Sequence, residues 1–453
     1  MDLTLSEIIE AVNGEVIINN NPTFNKVCID TRKIEKDNIY WAIKGENFDG
    51  NKFVVEAFNK GASVAIIDNI FFKQDELKDN VSVIKVLDTS KALLDLAKYY
   101  RKKLNLKVVG VTGSCGKTST KDLIAAFLSE KYKVFKTKGN FNNDIGLPLM
   151  ILELDSSYDV AVLEMGMSDL GEIDLLANTA NPDIAVITNI GLSHIENLKT
   201  QDNILKAKME IANYFDERNT LILNGEDKYL RNVKDKCFEI VKIGYNHEYD
   251  VYAFNIILEE EKTTFTIKDK LKEYTFTIPM PGKHNVLNSL LAIAVAKKLN
   301  VTMDEVKKGI KNLEATSMRL QVIKKEKITI INDCYNASPD SMKSSLDVLN
   351  TYTNKRKVAI LGSMNELGDK ALEAHEDIGN YASDKVDLLI AIGEYRNSMK
   401  AEFKGKNILI FETKEKFIDN IKDIIKKDDV ILVKASRGNK FESIVKSLEE
   451  VSI

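Results

Sequence analysis

Residues 106–124 constrain the fold more than any other segment. They contain an apolar run, then a glycine-rich turn, then a run in which apolar residues recur with the period of a helix. The apolar run predicts a strand, and the run after the turn predicts a helix. Three glycines are expected to let the turn curl so that successive backbone N–H groups point at one anion. They are Gly110, Gly113 and Gly116. The segment therefore predicts a phosphate cradle in an α/β protein.

The side chains of the turn indicate which phosphate compound it holds. Lys117 can reach terminal phosphates and the Thr118 hydroxyl can bind Mg²⁺, which favours a nucleoside triphosphate. The residues expected around it are Gly113, Ser114, Cys115, Gly116, Lys117, Thr118 and Ser119. A turn without a ligand and a cradle for another phosphate compound are the alternatives. Gly110 lies one position upstream of its place in the common P-loop pattern, where Val111 stands.

The length and composition of the chain fit a large cytoplasmic enzyme. Its 453 residues predict two or three domains. The 64 basic and 68 acidic residues are finely interspersed, so no basic stripe points to a nucleic acid. No run approaches the roughly 18 apolar residues of a membrane span, and the acidic N-terminus is unlike a signal peptide. The four cysteines form no CxxC pair, which indicates reduced thiols rather than disulfides or zinc.

Buried-strand runs alternate with helical runs, which predicts an α/β fold with mainly parallel sheets in three domains. Residues 1–84 are expected to form a small α/β N-terminal domain, and residues 85–315 a central P-loop domain. Residues 250–278 alternate polar and apolar side chains, which predicts an antiparallel patch within the central domain. Residues 316–453 contain a third strand–helix series and are expected to form a C-terminal Rossmann-like domain.

Polar residues follow strands of the central domain, at the edge where open α/β sheets bind ligands. Glu164 ends one strand, where a carboxylate can hold the Mg²⁺ of a nucleotide or simply be solvated. His194 follows the next strand, either as a ligand or as a hydrogen-bonded surface group. Lys208 lies on a predicted helix, and its position alone indicates a side chain exposed to solvent.

Asparagines in two segments fit either local structure or ligand contacts. Asn140, Asn142 and Asn143 can form Asx turns or bind a polar substrate. Asn285 and Asn288 lie three residues apart, so they share one helix face and can bracket a base edge or cap the helix. Sequence alone leaves both interpretations open.

The third strand series also carries polar residues at its strand ends. They are Arg319 at its start, Asp333 and Asn336 after one strand, and Lys434, Ser436 and Arg437 after the last. An arginine or lysine at such a place is usually solvated. Several polar ends on one sheet nevertheless predict a shared site that faces the phosphate loop.

Seven motifs in order make the chain resemble the Mur ligases, which build the peptide of bacterial cell-wall precursors. The motifs are GVTGSCGKTS, GNFNNDIGLP, EMGMSDLGEI, TNIGLSHIE, KAKMEI, GKHNVLNSLLA and DCYNASPDSM. The family shares the early first glycine, which accounts for the position of Gly110. Cys115 and Asn51 depart from the family's usual residues, which are a small polar residue and a histidine.

The resemblance implies an ATP-dependent ligase of peptidoglycan precursor synthesis that joins D-alanyl-D-alanine to the terminal carboxylate of UDP-N-acetylmuramoyl-tripeptide. The segments favouring this activity are IDTRKI, KGENFDGNKF, LGSMNELGD and KASRG. The carboxylate would accept the γ-phosphoryl group of ATP, and the amine would attack the acyl phosphate through a tetrahedral intermediate, leaving ADP and phosphate. ATP and Mg²⁺ are the implied cofactors, and we expect a monomer that binds neither nucleic acid nor membrane.

By the same resemblance, Lys117, Glu164, His194 and Lys208 are the catalytic residues. Mg²⁺ would be held by Thr118, Glu164, His194 and Lys208, the last as a carbamate. Carbamylation needs a neutral amine, although an ordinary lysine has a pKa of about 10.4.

The remaining implied roles divide the substrates among the three domains. The N-terminal domain would bind UDP through Asp30, Thr31, Arg32, Lys44, Phe48, Asp49 and Gly50. ATP would contact Asn285 and Asn288, with Arg319 and Asp333 added as the C-terminal domain closes over it. That domain would bind the dipeptide and the acceptor peptide through Asn336, Ser338, Lys434, Ser436 and Arg437.

Three other functions fit part of the sequence. Another ligase of the superfamily, either the lysine- or diaminopimelate-adding enzyme or folylpolyglutamate synthase, would differ in its amine acceptor. A plain P-loop kinase would have no use for the polar strand ends of the third domain. A scaffold that only binds nucleotide would not need Lys117, Thr118, Glu164 and His194 together.

Overall fold

The computed structural model describes residues 1–77, 79–235, 237–314 and 316–451, and three β-sheets organise them. In chain order these sheets have five, nine and six strands, most of them paired in parallel. The predicted α/β class is therefore confirmed. No helix in the described ranges is both long and apolar enough to cross a membrane.

The N-terminal domain is built on the five-stranded sheet. Its elements are α1 (Leu5–Ala11), β1 (Glu15–Ile18), β2 (Val27–Cys28), β3 (Ile39–Trp41), α2 (Val54–Lys60), β4 (Val64–Ile67) and β5 (Ser82–Lys85). The strand order is β1–β5–β4–β3–β2, and only β1 runs antiparallel to its neighbour. Strands β3 and β4 are fully buried, as expected for the inner strands of a covered parallel sheet.

The central domain is built on the nine-stranded sheet. Its elements are α3 (Thr89–Lys103), β6 (Lys107–Thr112), α4 (Lys117–Leu128), β7 (Val134–Lys136), α5 (Gly146–Leu152), β8 (Val160–Glu164), α6 (Glu172–Ala180), β9 (Ile184–Ile187), α7 (Ile195–Leu198), α8 (Gln201–Met209), β10 (Thr220–Asn224), β11 (Glu239–Gly244), β12 (Val251–Leu258), β13 (Thr263–Asp269), β14 (Lys272–Ile278), α9 (Lys283–Lys298) and α10 (Met303–Gly309). The order is β14–β13–β12–β11–β10–β9–β6–β8–β7.

Pairing within this sheet changes direction at β12. Strands β7 to β12 pair in parallel, whereas β12, β13 and β14 pair antiparallel and form the patch predicted at residues 250–278. Helices α4 and α9 pack against each other over one face of the sheet. Because α9 is buried on nearly every side, its first turns are fixed relative to the start of α4.

The C-terminal domain is built on the six-stranded sheet. Its elements are β15 (Gln321–Lys324), β16 (Thr329–Asn332), α11 (Pro339–Asn350), β17 (Lys357–Leu361), α12 (Ala371–Ala382), β18 (Leu388–Ile392), α13 (Arg396–Glu402), β19 (Ile408–Phe411), α14 (Lys414–Asp419), α15 (Ile421–Ile424), β20 (Val430–Lys434) and α16 (Glu442–Glu450). The order is β15–β16–β20–β17–β18–β19, and only β15 is antiparallel. This strand–helix alternation is the Rossmann-like arrangement predicted for the domain.

Gly110 has a different role from the one predicted for it. It lies inside β6 rather than in the turn, where an added Cβ would come within 3.2 Å of side-chain atoms of Ile211 and Met165. Its lack of a side chain therefore allows close packing on the sheet. The curl of the turn depends on Gly113 and Gly116 instead.

The predicted domain limits fall close to the ends of the sheets. Strand β5 ends at Lys85, one residue past the predicted limit at residue 84. Ala315, at the second limit, lies outside the described residues. The exact domain boundaries stay a prediction.

Candidate active site

A cavity lies between the central and C-terminal domains, at the carboxyl ends of β6, β8, β16 and β20. The predicted site residues that line it are Ser114, Cys115, Gly116, Lys117, Ser119, Asn142, Glu164, Asn285, Asn288, Arg319, Asp333, Asn336, Ser338 and Lys434. The structure thus brings the phosphate loop and the polar strand ends of the third domain to one place.

The phosphate loop between β6 and α4 is fixed by its glycines and by the residues after β9. Gly113 and Gly116 have φ angles of 150° and 82°, which residues with a Cβ atom rarely adopt. The Asn189 side chain accepts the N–H of Cys115 at 2.9 Å, and the Thr188 hydroxyl donates to the Cys115 carbonyl at 2.5 Å. The loop therefore needs no ligand to hold its shape.

Gly113→Ala is expected to destabilise the protein by about 2–4 kcal/mol, because it adds both backbone strain and a clash. The new Cβ would lie 1.8 Å from Thr188 Oγ1, an atom that already holds the loop. Gly139→Ala is the matched control, since Gly139 has a φ of 53° and no described atom within 4 Å of an added Cβ. Strain alone should make it lose about 1 kcal/mol. Urea unfolding of both variants measures the difference, and equal losses would contradict the clash.

Lys117 and Arg319 give the cavity its positive charge. Lys117 Nζ donates to the Gly113 carbonyl at 2.7 Å, and neither cation forms an ion pair within the described ranges. Burial lowers the pKa of Lys117, the charge of Glu164 opposes this shift, and Arg319 adds to it. Two cations without a carboxylate partner make a site that favours an anionic ligand.

Glu164 and Thr118 offer oxygen atoms to a hard cation. Thr118 Oγ1 donates to Glu164 Oε2 at 3.3 Å, while Glu164 Oε1 is buried and accepts no hydrogen bond from the described residues. Lys121 Nζ forms an ion pair with the same Oε1 atom at 3.4 Å. A carboxylate and a hydroxyl are the ligand types that suit Mg²⁺, so this pair fits the ion.

The protein supplies few metal ligands in this region. No three His, Cys, Asp or Glu side chains converge as a metal site in the part of the chain that the structure describes. Mg²⁺ commonly binds through one or two carboxylates and takes its other ligands from substrate phosphates and water. The small donor set is therefore consistent with an ion that arrives with a nucleotide.

His194 is held by the C-terminal domain. Its Nδ1 lies 2.8 Å from Glu366 Oε2, and the Glu366 carbonyl accepts the N–H of Glu196 at 3.2 Å. The hydrogen bond to His194 lowers the pKa of the Glu366 carboxyl. Since Nδ1 is engaged, Nε2 is the nitrogen left to bind a ligand.

The side chain of Lys208 is buried on α8. The exposed side chain that its place on a helix predicts is therefore wrong. Burial lowers its pKa well below the ordinary value, and the charge of Lys117 adds to this shift. No carboxylate among the described residues pairs with its amine. A lysine in this environment is much more easily kept neutral than one in water.

The predicted asparagines separate into structural and cavity-facing ones. Asn288 Nδ2 donates to Asn285 Oδ1 at 3.0 Å on α9, and both side chains face the cavity. Asn142 also lines the cavity, whereas Asn143 Oδ1 accepts the N–H of Gly146, the first residue of α5, at 2.8 Å. Asn140 is exposed in the preceding turn, and contact of these asparagines with a substrate stays a prediction.

Asp333 and Lys434 bind each other at the ends of β16 and β20. Lys434 Nζ lies 2.5 Å from Asp333 Oδ2 and donates to the Asn336 carbonyl at 2.9 Å. The Ser345 hydroxyl donates to the same Asp333 oxygen at 2.6 Å. Both predicted site residues line the cavity, but each already has strong partners within the domain.

The other predicted residues of the C-terminal domain lie around this pair. Ser338 begins α11, and its Oγ lies 3.0 Å from Cys115 Sγ across the domain interface. The Ser436 hydroxyl is buried and accepts the N–H of Asn365 at 2.9 Å. Arg437 is exposed, with Nη1 lying 3.2 Å from Met318 Sδ.

The residues predicted to bind UDP lie on the N-terminal domain, outside the residues that line the cavity. They form two groups, Asp30, Thr31 and Arg32 in one and Lys44, Phe48, Asp49 and Gly50 in the other. Both carboxylates in these groups cap 3-10 turns, since Asp30 accepts the N–H of Arg32 and Asp49 accepts that of Asn51. Phe48 is exposed, so it is free to contact a ligand.

The sequence analysis missed several residues near the site. Among them are Lys121, His284, Tyr335 and Glu366. His284 lines the cavity with its pKa lowered by burial to about 4. Tyr335 and Glu366 belong to motifs quoted above, so the signal was present. What was missing was the position of each side chain across the domain interface.

Three family models match the chain over most of its length. They are described as the Mur ligase family, catalytic domain, at residues 23–101, the Mur ligase middle domain at residues 111–296 and the Mur ligase, glutamate ligase domain at residues 318–437. Each of the three sheets lies largely within one of these matches.

Relatives of known name match from end to end. The chain is 41% identical to the UDP-N-acetylmuramoyl-tripeptide--D-alanyl-D-alanine ligase of Bacillus subtilis, covering 99% of this chain and 98% of that one. It is 31% identical to the Escherichia coli protein of the same name, with 99% of each chain covered.

Solved structures agree with these relatives. A crystal structure of MurF from Acinetobacter baumannii aligns with a TM-score of 0.91 at 29% identity, over 99% of both chains. MurF ligase from Thermotoga maritima in complex with ADP aligns with a TM-score of 0.83 at 29% identity, over 94% of this chain and 97% of that one. The resemblance predicted from the motifs is confirmed, and this chain belongs to the Mur ligase family.

Proposed function

We propose that this chain is an ATP-dependent ligase that joins D-alanyl-D-alanine to the terminal carboxylate of UDP-N-acetylmuramoyl-tripeptide. The observation that carries this function is the single cavity lined by a phosphate loop and by polar strand ends of the third domain. A plain P-loop kinase has no use for the second set. The Bacillus subtilis and Escherichia coli relatives, which match the whole chain, carry this activity in their names.

The first step transfers the γ-phosphoryl group of ATP to the substrate carboxylate. Both reactants are anions, so the site must supply positive charge where water is excluded. Lys117 is half-buried at the start of α4, close to where the terminal phosphates of a loop-bound nucleotide lie. Arg319 faces the same cavity from the third domain. The products of this step are an acyl phosphate and ADP.

The second step forms the amide bond. The amine of D-alanyl-D-alanine attacks the acyl carbon, a tetrahedral intermediate forms, and the C–O bond to phosphate breaks as the amine loses a proton. Asn336, Ser338 and Arg437 are the residues we assign to the dipeptide and the acceptor peptide, together with Lys434 and Ser436. They lie at or near the third-domain edge of the cavity, opposite the phosphate loop.

Thr118, Glu164 and His194 would hold Mg²⁺. When bound, the ion neutralises charge on the phosphates and orients them for transfer. Lys208 would join them as a carbamate, because its buried, unpaired amine is easily neutral and a carbamate would return a negative charge to a region that contains Lys117.

The remaining residues would bind the ends of the two nucleotides. Asn285 and Asn288 share one face of α9 and are assigned to the adenine side of ATP. The two groups on the N-terminal domain, at residues 30–32 and 44–50, are assigned to UDP. Since one chain carries residues for every substrate, we also propose that it acts as a monomer.

An amine-acceptor panel tests this function by ADP release. The purified chain is given UDP-N-acetylmuramoyl-tripeptides ending in lysine or in diaminopimelate, with D-alanyl-D-alanine, D-alanine, lysine, diaminopimelate or glutamate as the amine. We expect ADP release to be stimulated by D-alanyl-D-alanine and by none of the other amines. Stimulation by another amine alone would overturn the assignment. ATP binding without ADP release in any combination would favour a non-catalytic scaffold.

A further inference from the structure

Tyr335 lies at the third-domain edge of the cavity, and the proposed function does not use it. It follows β16 and lines the cavity. The guanidinium group of Arg319 lies over its ring, with Cζ 4.2 Å from the ring centroid, and that of Arg437 lies over it at 5.8 Å. Both distances are within the range of cation–π contacts. One ring therefore touches a cation assigned to ATP and a cation assigned to the acceptor side.

The ring is the contact that orients Arg319. Its guanidinium group makes no hydrogen bond or ion pair with any residue in the described ranges, and it also lines the cavity. A carboxylate in the place of Tyr335 would orient the arginine but would cancel its charge and occupy its donors. An aromatic face leaves the N–H donors and the charge of Arg319 available to a phosphate.

The backbone that carries Arg319 is fixed by the same neighbourhood. Met318 and Leu320 have left-handed φ angles of 58° and 50°, which persist in such residues only when the surrounding structure holds them. The Tyr335 N–H donates to the Met318 carbonyl at 3.2 Å, and the Leu320 N–H donates to Asp333 Oδ1 at 3.2 Å. Backbone and side chain of Arg319 are thus both held by the segment that follows β16.

We propose that Tyr335 is a positioning residue that directs Arg319 at the transferred phosphoryl group and links it to Arg437. This inference rests on the proposed function, in which Arg319 serves ATP and Arg437 serves the acceptor side. The face of the ring carries the role, because the Tyr335 hydroxyl has no hydrogen-bond partner among the described residues. Without that face, Arg319 would sample other rotamers, and its guanidinium charge would lie beside the phosphoryl group for a smaller fraction of the time.

Two substitutions separate the ring face from the hydroxyl. Tyr335→Leu removes the face and is expected to lower kcat by about 3- to 30-fold, with little change in the KM for ATP. The KM for D-alanyl-D-alanine should rise by about two- to fivefold, because Arg437 loses its more distant contact. Tyr335→Phe keeps the face and should stay within about twofold of the wild type in each constant. Thermal unfolding of each variant shows that the fold is retained.

A double-mutant cycle with Arg319→Ala then tests whether Tyr335 acts through the arginine. If it does, Tyr335→Leu should lower kcat much less in the Arg319→Ala background than in the wild type. An equal loss in both backgrounds would overturn the inference, as would a loss in Tyr335→Phe as large as that in Tyr335→Leu. A wild type that does not ligate the dipeptide would overturn the proposed function. An active wild type with an unchanged Tyr335→Leu variant would overturn this inference alone.

Discussion

Replacing Lys208 with alanine is expected to lower kcat for ligation by about 10²–10³-fold without unfolding the protein. The side chain is buried on α8 with no carboxylate partner, so its removal breaks no ion pair. If the amine carries a carbamate, the substitution removes an anion that would orient the bound metal. Steady-state ADP release gives the loss in kcat, and thermal unfolding checks the fold.

The carbamate itself can be measured. Carbon dioxide reacts only with a neutral amine, and burial lowers the pKa of Lys208, which increases the neutral fraction near neutral pH. Enzyme freed of carbon dioxide at low pH should regain activity when bicarbonate is added, and carbon-13 bicarbonate should give a carbamate signal that is missing in Lys208→Ala. As the pH falls through the lowered pKa, the amine takes up a proton, so both the signal and the activity should decline.

Lys206→Ala is the matched control for this experiment, because Lys206 lies on the same helix but is exposed. It should keep full activity and the carbamate signal. Short carboxylic acids such as acetate should partly restore Lys208→Ala by supplying the missing anion. Normal activity of Lys208→Ala, with no effect of such acids, would remove Lys208 from the mechanism.

The strands that surround the site could be predicted because they are buried on both faces. Strands β6, β8 and β9 are short, mostly apolar runs in the sequence. Strands covered on both faces are mostly apolar because their side chains are shielded from water on either side. Strands β1 and β15 lie at sheet edges, have only four residues each and are partly or fully exposed, so their two or three apolar residues are a weak signal in the sequence. Their strand conformation comes from pairing with a partner rather than from their own sequence.

The contacts across the domain interface could not be predicted from the sequence. His194 contacts Glu366, and Cys115 contacts Ser338, which is 223 residues away in the sequence. No period or spacing encodes such pairs, because they depend on how two folded domains lie against each other. The burial of Lys208 is a similar case, since the short α8 gives no strong apolar pattern from which its inner face could be read.

Glu164→Gln tests whether the oxygen atoms at the end of β8 hold the metal, and it is expected to lower kcat by about 10²–10³-fold at a fixed Mg²⁺ concentration. Glutamine has the same shape and can still accept the Thr118 hydrogen bond, but it carries no negative charge. More Mg²⁺ should therefore be needed for half-maximal rate. Lys121 keeps Asp122 at 3.4 Å and the Thr137 carbonyl at 2.9 Å, so the buried lysine is not left alone.

The control is Glu153→Gln, which removes an exposed carboxylate of the same domain and should change neither kcat nor the Mg²⁺ requirement. Binding of Mn²⁺ in the presence of an ATP analogue gives a measurement independent of turnover, and Glu164→Gln should weaken it. Suppose instead that this variant lost activity but bound the metal as well as the wild type. Glu164 would then act through Lys121 and the loop rather than on the ion, since these are its other neighbours in the structure.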